Sequence, residues 1–181
     1  MIVVTSNKTK RQEYERFGIP GLKVMEGPDI REIVGTPDQI IAYKTMEAGE
    51  GRIVEDAIIR INGEPIIDVK WKIPAILAGE YPVGTELDWE VRLGVMKDGV
   101  ISLYYGVTKG KVCEAVEEGF GIDPVLMVTD AGQTLAALDA KGEKEGYSAR
   151  RFAIQNLLSG DTYAVINTSE LLPWAGTYQN E

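Results

Sequence analysis

Asn7 and Lys10 stand where an apolar run, Ile2-Val3-Val4-Thr5, gives way to a polar helix-forming stretch. Unpaired backbone N–H groups and the positive end of a helix dipole favour an anion at such a junction. Asn7 can donate through its amide, and Lys10 places a charge one turn in. The same hexapeptide also suits an ordinary capped helix with solvated lysines, and it lacks the glycines of a Walker loop. Glu55 and Asp56 interrupt an apolar strand pattern, Ile53 to Ile59. Adjacent residues point to opposite faces of a strand, so at least one carboxylate faces a core or a cleft. A buried carboxylate calls for a donor or a cation beside it, and oxygen-only ligands suit Mg²⁺; a solvated strand end is the alternative. Lys44 lies among Ile40, Ile41, Tyr43 and Met46, either as a snorkelling lysine or as a second cation. In Gly119-Phe120-Gly121-Ile122-Asp123-Pro124 the glycines permit close ligand approach and the Phe can stack on a base. Lys144, Ser148, Arg150 and Arg151 form a basic group that also fits a solvated helical face.

The elements that must position these residues follow from pattern. Ile2–Thr5 reads as a buried strand, Lys8–Phe17 as a helix stopped by Gly18 and Pro20, and Leu22–Met25 as a second strand. Thr36-Pro37-Asp38-Gln39 is a capping box with Pro in the first turn, and it opens a helix that runs to Ala48. Ile53–Ile61 reads as a strand turned by Asn62-Gly63 into Pro65–Ile67. Lys72–Gly84 is irregular and marks a hinge or lid. Trp89 to Val95 alternates as a half-buried strand, turned by Asp98-Gly99 into Val100–Val107. Further strands are expected at Lys111–Ala115 and Val125–Val128, and helices at Leu135–Leu138 and Glu143–Leu158. The class is α/β or α+β with a mixed sheet.

The 181 residues suit one domain, 1–181, or one domain in two lobes, with 160–181 as a tail. Nineteen basic against 28 acidic residues give −9, which argues against a nucleic-acid or anionic-membrane surface. Any phosphate must therefore be held by a local cluster of lysines and arginines. The sequence has no histidine and one cysteine, Cys113, which excludes Ser-His-Asp and Cys-His devices, His-ligated metals and an intrachain disulfide. The N-terminal apolar run is too short for a signal peptide or a span, so a cytoplasmic location is expected.

The order of these groups is more specific than any one of them. Asn-x-x-Lys comes first, then Asp29-Ile30-Arg31-Glu32-Ile33-Val34-Gly35-Thr36-Pro37-Asp38 and the helix bearing Lys44. Val54-Glu55-Asp56 and Gly-Phe-Gly-x-Asp-Pro follow, and Gln133-Thr134-Leu135-Ala136 and Glu143-Lys144 through Ser148-x-Arg150 complete the series. Over residues 2 to 158 the chain resembles the inosine/xanthosine triphosphate pyrophosphatase family. The resemblance implies a mixed, curved β-sheet with flanking helices, in two lobes around a central nucleotide cleft. It implies Mg²⁺-dependent hydrolysis of deaminated purine nucleoside triphosphates (ITP, dITP, XTP) to the monophosphate and pyrophosphate, a nucleotide-pool sanitation activity, and a homodimer. By position, Asn7, Lys10 and Lys44 would hold the triphosphate. Glu32, Glu55 and Asp56 would form the metal site, with Asp56 activating water. Phe120, Asp123, Lys144, Ser148 and Arg150 would line the base pocket.

Departures from the family pattern gather at the base end. Its Ser-His-Arg is Ser148-Ala149-Arg150 here, and its second loop aromatic is Ile122. Its Glu-Asp-Thr/Ser is Glu55-Asp56-Ala57, and its Gly-x-Pro-Gly survives as Gly63-Glu64-Pro65. Two alternatives follow: a nucleotide-binding protein that kept the fold and lost turnover, or a pyrophosphatase with a changed base preference. Adjacent tyrosines Tyr104 and Tyr105 on one strand are the sequence's own hint of an interface.

Overall fold

The β-branched run at the N-terminus becomes β1 (Ile2–Thr5), an interior strand of a mixed sheet, in a computed structural model that describes residues 1–179. Helix α1 (Lys8–Arg16), β2 (Lys23–Glu26), α2 (Pro37–Ala48), β3 (Arg52–Ile61) and β4 (Glu64–Ile66) follow. Then come α3 (Val69–Leu77), β5 (Leu87–Lys97), β6 (Val100–Thr108), β7 (Gly110–Val112) and β8 (Leu126–Val128). The series closes with β9 (Gln133–Thr134), α4 (Leu135–Ala140), α5 (Ala149–Ser159) and β10 (Ala164–Asn167). The large sheet runs β10-β6-β5-β3-β1-β2, with β4 on β3; β7, β8 and β9 make a smaller antiparallel sheet. The expected mixed α/β class is what the chain adopts. No helix among the described residues is long and apolar enough to cross a membrane.

The chain divides into two units, Met1–Asp56 with Arg92–Tyr105 and Ile154–Glu181, and Ala57–Val91 with Gly106–Ala153. In the first, β1 pairs in parallel with β2 (Ile2 opposite Lys23) and with β3 (Ile2 opposite Arg52). Helix α2 begins at the expected capping box: Thr36 Oγ1 accepts the Gln39 N–H at 3.2 Å, and Gln39 Oε1 accepts the Thr36 N–H at 2.9 Å. Its buried face packs Ile41 and Ala48 with Val54, Ile101 and Leu103. At Gly94 of β5 a Cβ would lie 2.0 Å from Thr45 Oγ1, so α2 lies closer to the sheet there than any side chain would permit. The β5–β6 hairpin turns at Asp98 and Gly99, both at positive φ. The Glu50 carboxylate accepts both of their N–H groups, each at 3.0 Å.

In the second unit Asn62 and Gly63, also at positive φ, turn β3 into β4, as the Asn-Gly pair predicts. Two expectations need correction there. Helix α3 (Val69–Leu77), with Pro74 inside it, runs into the first half of the stretch Lys72–Gly84 read as irregular. The helix loses one backbone bond at the proline and still buries Ile76. The helix read as continuous from Glu143 to Leu158 is broken at Ser148. A 3₁₀ turn, Lys144–Tyr147, precedes an extended Ser148 (ψ 122°), and α5 starts at Ala149. The Thr108 hydroxyl donates to the Tyr147 carbonyl at 2.5 Å and accepts the Ala149 N–H at 2.8 Å, which ends one ladder before the next begins.

Candidate active site

In the first unit, two lysines and three carboxylates gather around the start of α1, the middle of α2 and β3. Asn7 caps α1 by accepting the Lys10 N–H on Oδ1 at 3.1 Å, which leaves its amide nitrogen as a donor for a ligand. Lys10 Nζ lies 3.1 Å from Glu55 Oε1. Tyr14, on the same helix face one turn on, donates its hydroxyl to Glu55 Oε2 at 2.5 Å. Lys44 Nζ donates to Glu32 Oε1 at 2.5 Å. Glu55 and Asp56 are both buried, so neither belongs to a solvated strand end.

Asp56 differs from its neighbours. Its buried Oδ2 finds no hydrogen-bond partner among the described residues. Its pKa is pushed up to about 6, first by burial, then by the Glu32 and Glu55 charges, while Lys44 and Lys10 pull the other way. Burial draws Lys44 down, but the Glu32 carboxylate foremost, with Asp56 and Glu55, more than restores it, and its pKa ends above the usual value. A carboxyl with its pKa raised to about 6, beside a Lys44 ammonium whose pKa is raised, is suited to accept a proton and to face an anion.

The donor set also bears on the metal. Among the described residues no three acidic, His or Cys side chains stand close enough together to hold an ion as they are. Glu32 and Glu55 are engaged by lysines. The set is nonetheless all oxygen, and the orphaned Asp56 Oδ2 is the kind of atom a hard cation satisfies, so the residues fit Mg²⁺.

In the second unit a buried polar group surrounds the Trp89 ring. Lys144 Nζ lies 2.6 Å from Asp123 Oδ2 and 5.9 Å from the Trp89 ring centroid. The Arg150 guanidinium lies 5.2 Å from the same centroid. Lys144 and Arg150 are therefore no solvated charge run; both are buried. Ser148, also buried, caps α5 by accepting the Arg151 N–H at 3.3 Å. The Asp123 N–H donates to the Phe120 carbonyl at 3.0 Å, while Phe120 itself is 54% exposed. Ile122 and Ala149, at the positions that depart from the family pattern, are both buried. Gly106 explains part of this: a Cβ there would meet the Ala149 carbonyl oxygen at 2.0 Å, so β6 presses on the start of α5.

The structure thus joins Lys10 to Glu55, Lys44 to Glu32, and Asp123 to Lys144. Asp56 lies in the field of the first two pairs, while Asn7 and Ser148 cap helices and Phe120 faces outward. Sequence reasoning missed Tyr14, Trp89 and Thr108. Tyr14 was legible as the residue one helical turn beyond Lys10. Trp89 and Thr108 carried no signal beyond their places in strands.

Residues 90–160 match the Ham1 family. The fold is similar to that of the Staphylococcus aureus Ham1 protein, with a TM-score of 0.65 and 23% identity over 88% of this chain and 98% of that one. It is similar also to a Coxiella burnetii HAM1 protein, with a TM-score of 0.65 and 21% identity over 88% of this chain and 96% of that one. No curated protein matches the sequence. The resemblance drawn from the ordered motifs is supported to this extent: residues 90–160 match the Ham1 family, and the fold is similar to that of Ham1 proteins.

Proposed function

We propose that this chain is a Mg²⁺-dependent nucleoside triphosphate pyrophosphatase that hydrolyses the bond between the α- and β-phosphates, with deaminated purine nucleotides such as ITP, dITP and XTP as substrates. The observation that carries this reading is Asp56: buried, with an unsatisfied oxygen and a pKa near 6, in the field of Lys10 and Lys44. Lys10 and Lys44 bind the phosphates as point charges, and Asn7 adds an amide donor. Glu32, Glu55 and Asp56 would hold Mg²⁺. Mg²⁺, when bound, supplies positive charge against the phosphate oxygens and makes a water more acidic. The Asp56 carboxylate, its pKa raised by burial, takes the proton of the attacking water, and no histidine is needed. Asp123, Lys144, Ser148 and Arg150 meet the polar edge of the base, and Phe120 stacks on its face.

Pyrophosphate release from a panel of nucleoside triphosphates tests the reading. Release is expected with Mg²⁺ and not with EDTA; a chain that binds ITP and releases nothing under either condition refutes it. Lys10→Ala should raise KM for the triphosphate, more steeply at low salt because a screened charge contact is lost. A KM indifferent to the change would remove Lys10 from phosphate binding.

The base end favours a narrower discrimination than the family's pocket gives. Ile122 offers no second stacking surface, which is worth roughly 1–3 kcal/mol on aromatic platforms, and Ala149 offers no ring nitrogen to the base edge. ITP should remain a substrate, with a reduced margin over ATP and GTP in kcat/KM. A preference of several hundredfold or more, as a tight polar site delivers, would show that the pocket has not loosened. The homodimer belongs to the same proposal, and a monomer mass by light scattering at micromolar protein would count against it.

A further inference from the structure

Glu32 lies in the stretch between β2 and α2, which has no helix or strand of its own. Its ammonium partner, Lys44, is on α2, so the meeting of the two depends on something that relates that stretch to the helix. Packing does not do it alone, because Ile30, Arg31 and Ile33 border a cavity of about 450 Å³ whose other wall includes Tyr43, Trp174 and Tyr178. The C-terminal segment bridges the gap. Tyr178 pairs with Ile33 as an antiparallel bridge. The Val34 N–H donates to the Thr177 carbonyl at 3.0 Å, and the Gln179 N–H donates to the Glu32 carbonyl at 2.8 Å. The Gln179 side-chain amide adds a bond to the Ile33 carbonyl at 3.1 Å, and the Arg31 guanidinium lies 4.0 Å from the Tyr178 ring centroid. At its other end the same segment grips α2 beside Lys44. The Tyr43 hydroxyl donates to the Leu172 carbonyl at 2.5 Å, and the Trp174 ring meets Tyr43 edge-on at 5.4 Å.

We propose that residues 172–179 are a strap that positions Glu32 for the metal, with Tyr178 and the Gln179 backbone N–H as its positioning groups. The proposal rests on the reading of Glu32 as a metal ligand. Outer groups that orient a ligand are worth about 10–100-fold in metal affinity, so the strap is visible in binding without turnover.

The test uses the full chain and Mn²⁺ as probe, with free Mn²⁺ followed by electron paramagnetic resonance. Tyr178→Ala, which removes the ring from Arg31, and Gln179→Pro, which removes the N–H from Glu32, should each weaken Mn²⁺ binding by about tenfold. Tyr178→Phe should stay within about twofold of the wild type, because the ring and the backbone bridge survive. Should Gln179→Pro not fold, Gln179→Ala carries the test with a smaller loss, since it removes only the bond to Ile33. In a Glu32→Gln background none of these changes should weaken Mn²⁺ further, because the strap then has no ligand to position. Unchanged affinity in Tyr178→Ala and the Gln179 variant overturns the strap. An equal loss in the Glu32→Gln background overturns it too, as the mark of a merely structural role. A wild-type chain that does not bind Mn²⁺ overturns the strap together with the metal reading. A strap effect on Mn²⁺ in a chain that releases no pyrophosphate leaves the strap standing and refutes only the proposed activity.

Discussion

Asp56→Asn is expected to abolish turnover and, in the same molecule, to raise the stability of the fold. The amide keeps the shape of the carboxylate but cannot accept a proton, and general-base contributions are typically ~10²–10⁴-fold. The gain in stability follows from the same burial. The folded-state pKa of about 6 exceeds the ordinary value of 3.8, so between those values the folded chain holds the proton more tightly than the unfolded one. Asp56 therefore costs nothing below pH 3.8, costs more as the pH rises through 6, and carries its full penalty above that. Two pKa units correspond to about 3 kcal/mol. In EDTA at pH 8 the variant should be more stable by on the order of 2–3 kcal/mol, a rise of several degrees in Tm for a chain of this size. The difference should shrink toward zero as the pH falls to about 4. A variant that keeps most of its turnover removes Asp56 from the mechanism, and a stability gain over the wild type no larger at pH 8 than at pH 4 removes the strained carboxylate.

Asp123→Ala should act in the opposite direction. Lys144 is buried, and its ammonium bonds Asp123 Oδ2 at 2.6 Å. Removing one partner of a buried ion pair leaves the other charge desolvated, which costs roughly 3–5 kcal/mol. Denaturant unfolding should show that loss as a lower midpoint at unchanged slope. Phe120→Ala is the natural contrast. The residue is 54% exposed, so stability should stay within about 0.5 kcal/mol, while KM for ITP rises as the stacking face is lost. If Asp123→Ala unfolds no more easily than Phe120→Ala, the pair is not holding the second unit together.

These contrasts show how much of the molecule was written in the sequence. Where local chemistry decides the backbone, the reading agrees with the structure: Thr36 and Gln39 make the capping box, and Asn62-Gly63 and Asp98-Gly99 make two hairpin turns. Where a distant residue decides, the reading fails. Ser148 breaks a helical pattern because Thr108, some forty residues away, takes the hydrogen bonds on either side of it. Val69–Leu77 is helical despite its proline, and it buries Ile76, a contact that local pattern does not show. The pairing of Lys10 with Glu55 and of Lys44 with Glu32 likewise depends on which elements lie side by side, which periodicity does not encode. The strand β10 escaped notice because half of it faces solvent and its partner lies sixty residues earlier in the chain.

That late partner has a consequence for synthesis. Ala164 of β10 pairs with Leu103 of β6, and β10 is the strand that covers this edge of the sheet. At 5–20 residues per second, roughly 3–12 seconds separate the emergence of one from the other on a ribosome. During that interval β6 presents a row of unpaired N–H and C=O groups, flanked by the apolar side chains of Ile101 and Leu103, to any extended chain nearby. Chains cut short before residue 164 carry that open edge permanently, and they should partition to aggregates even though every residue of β1 to β9 is present.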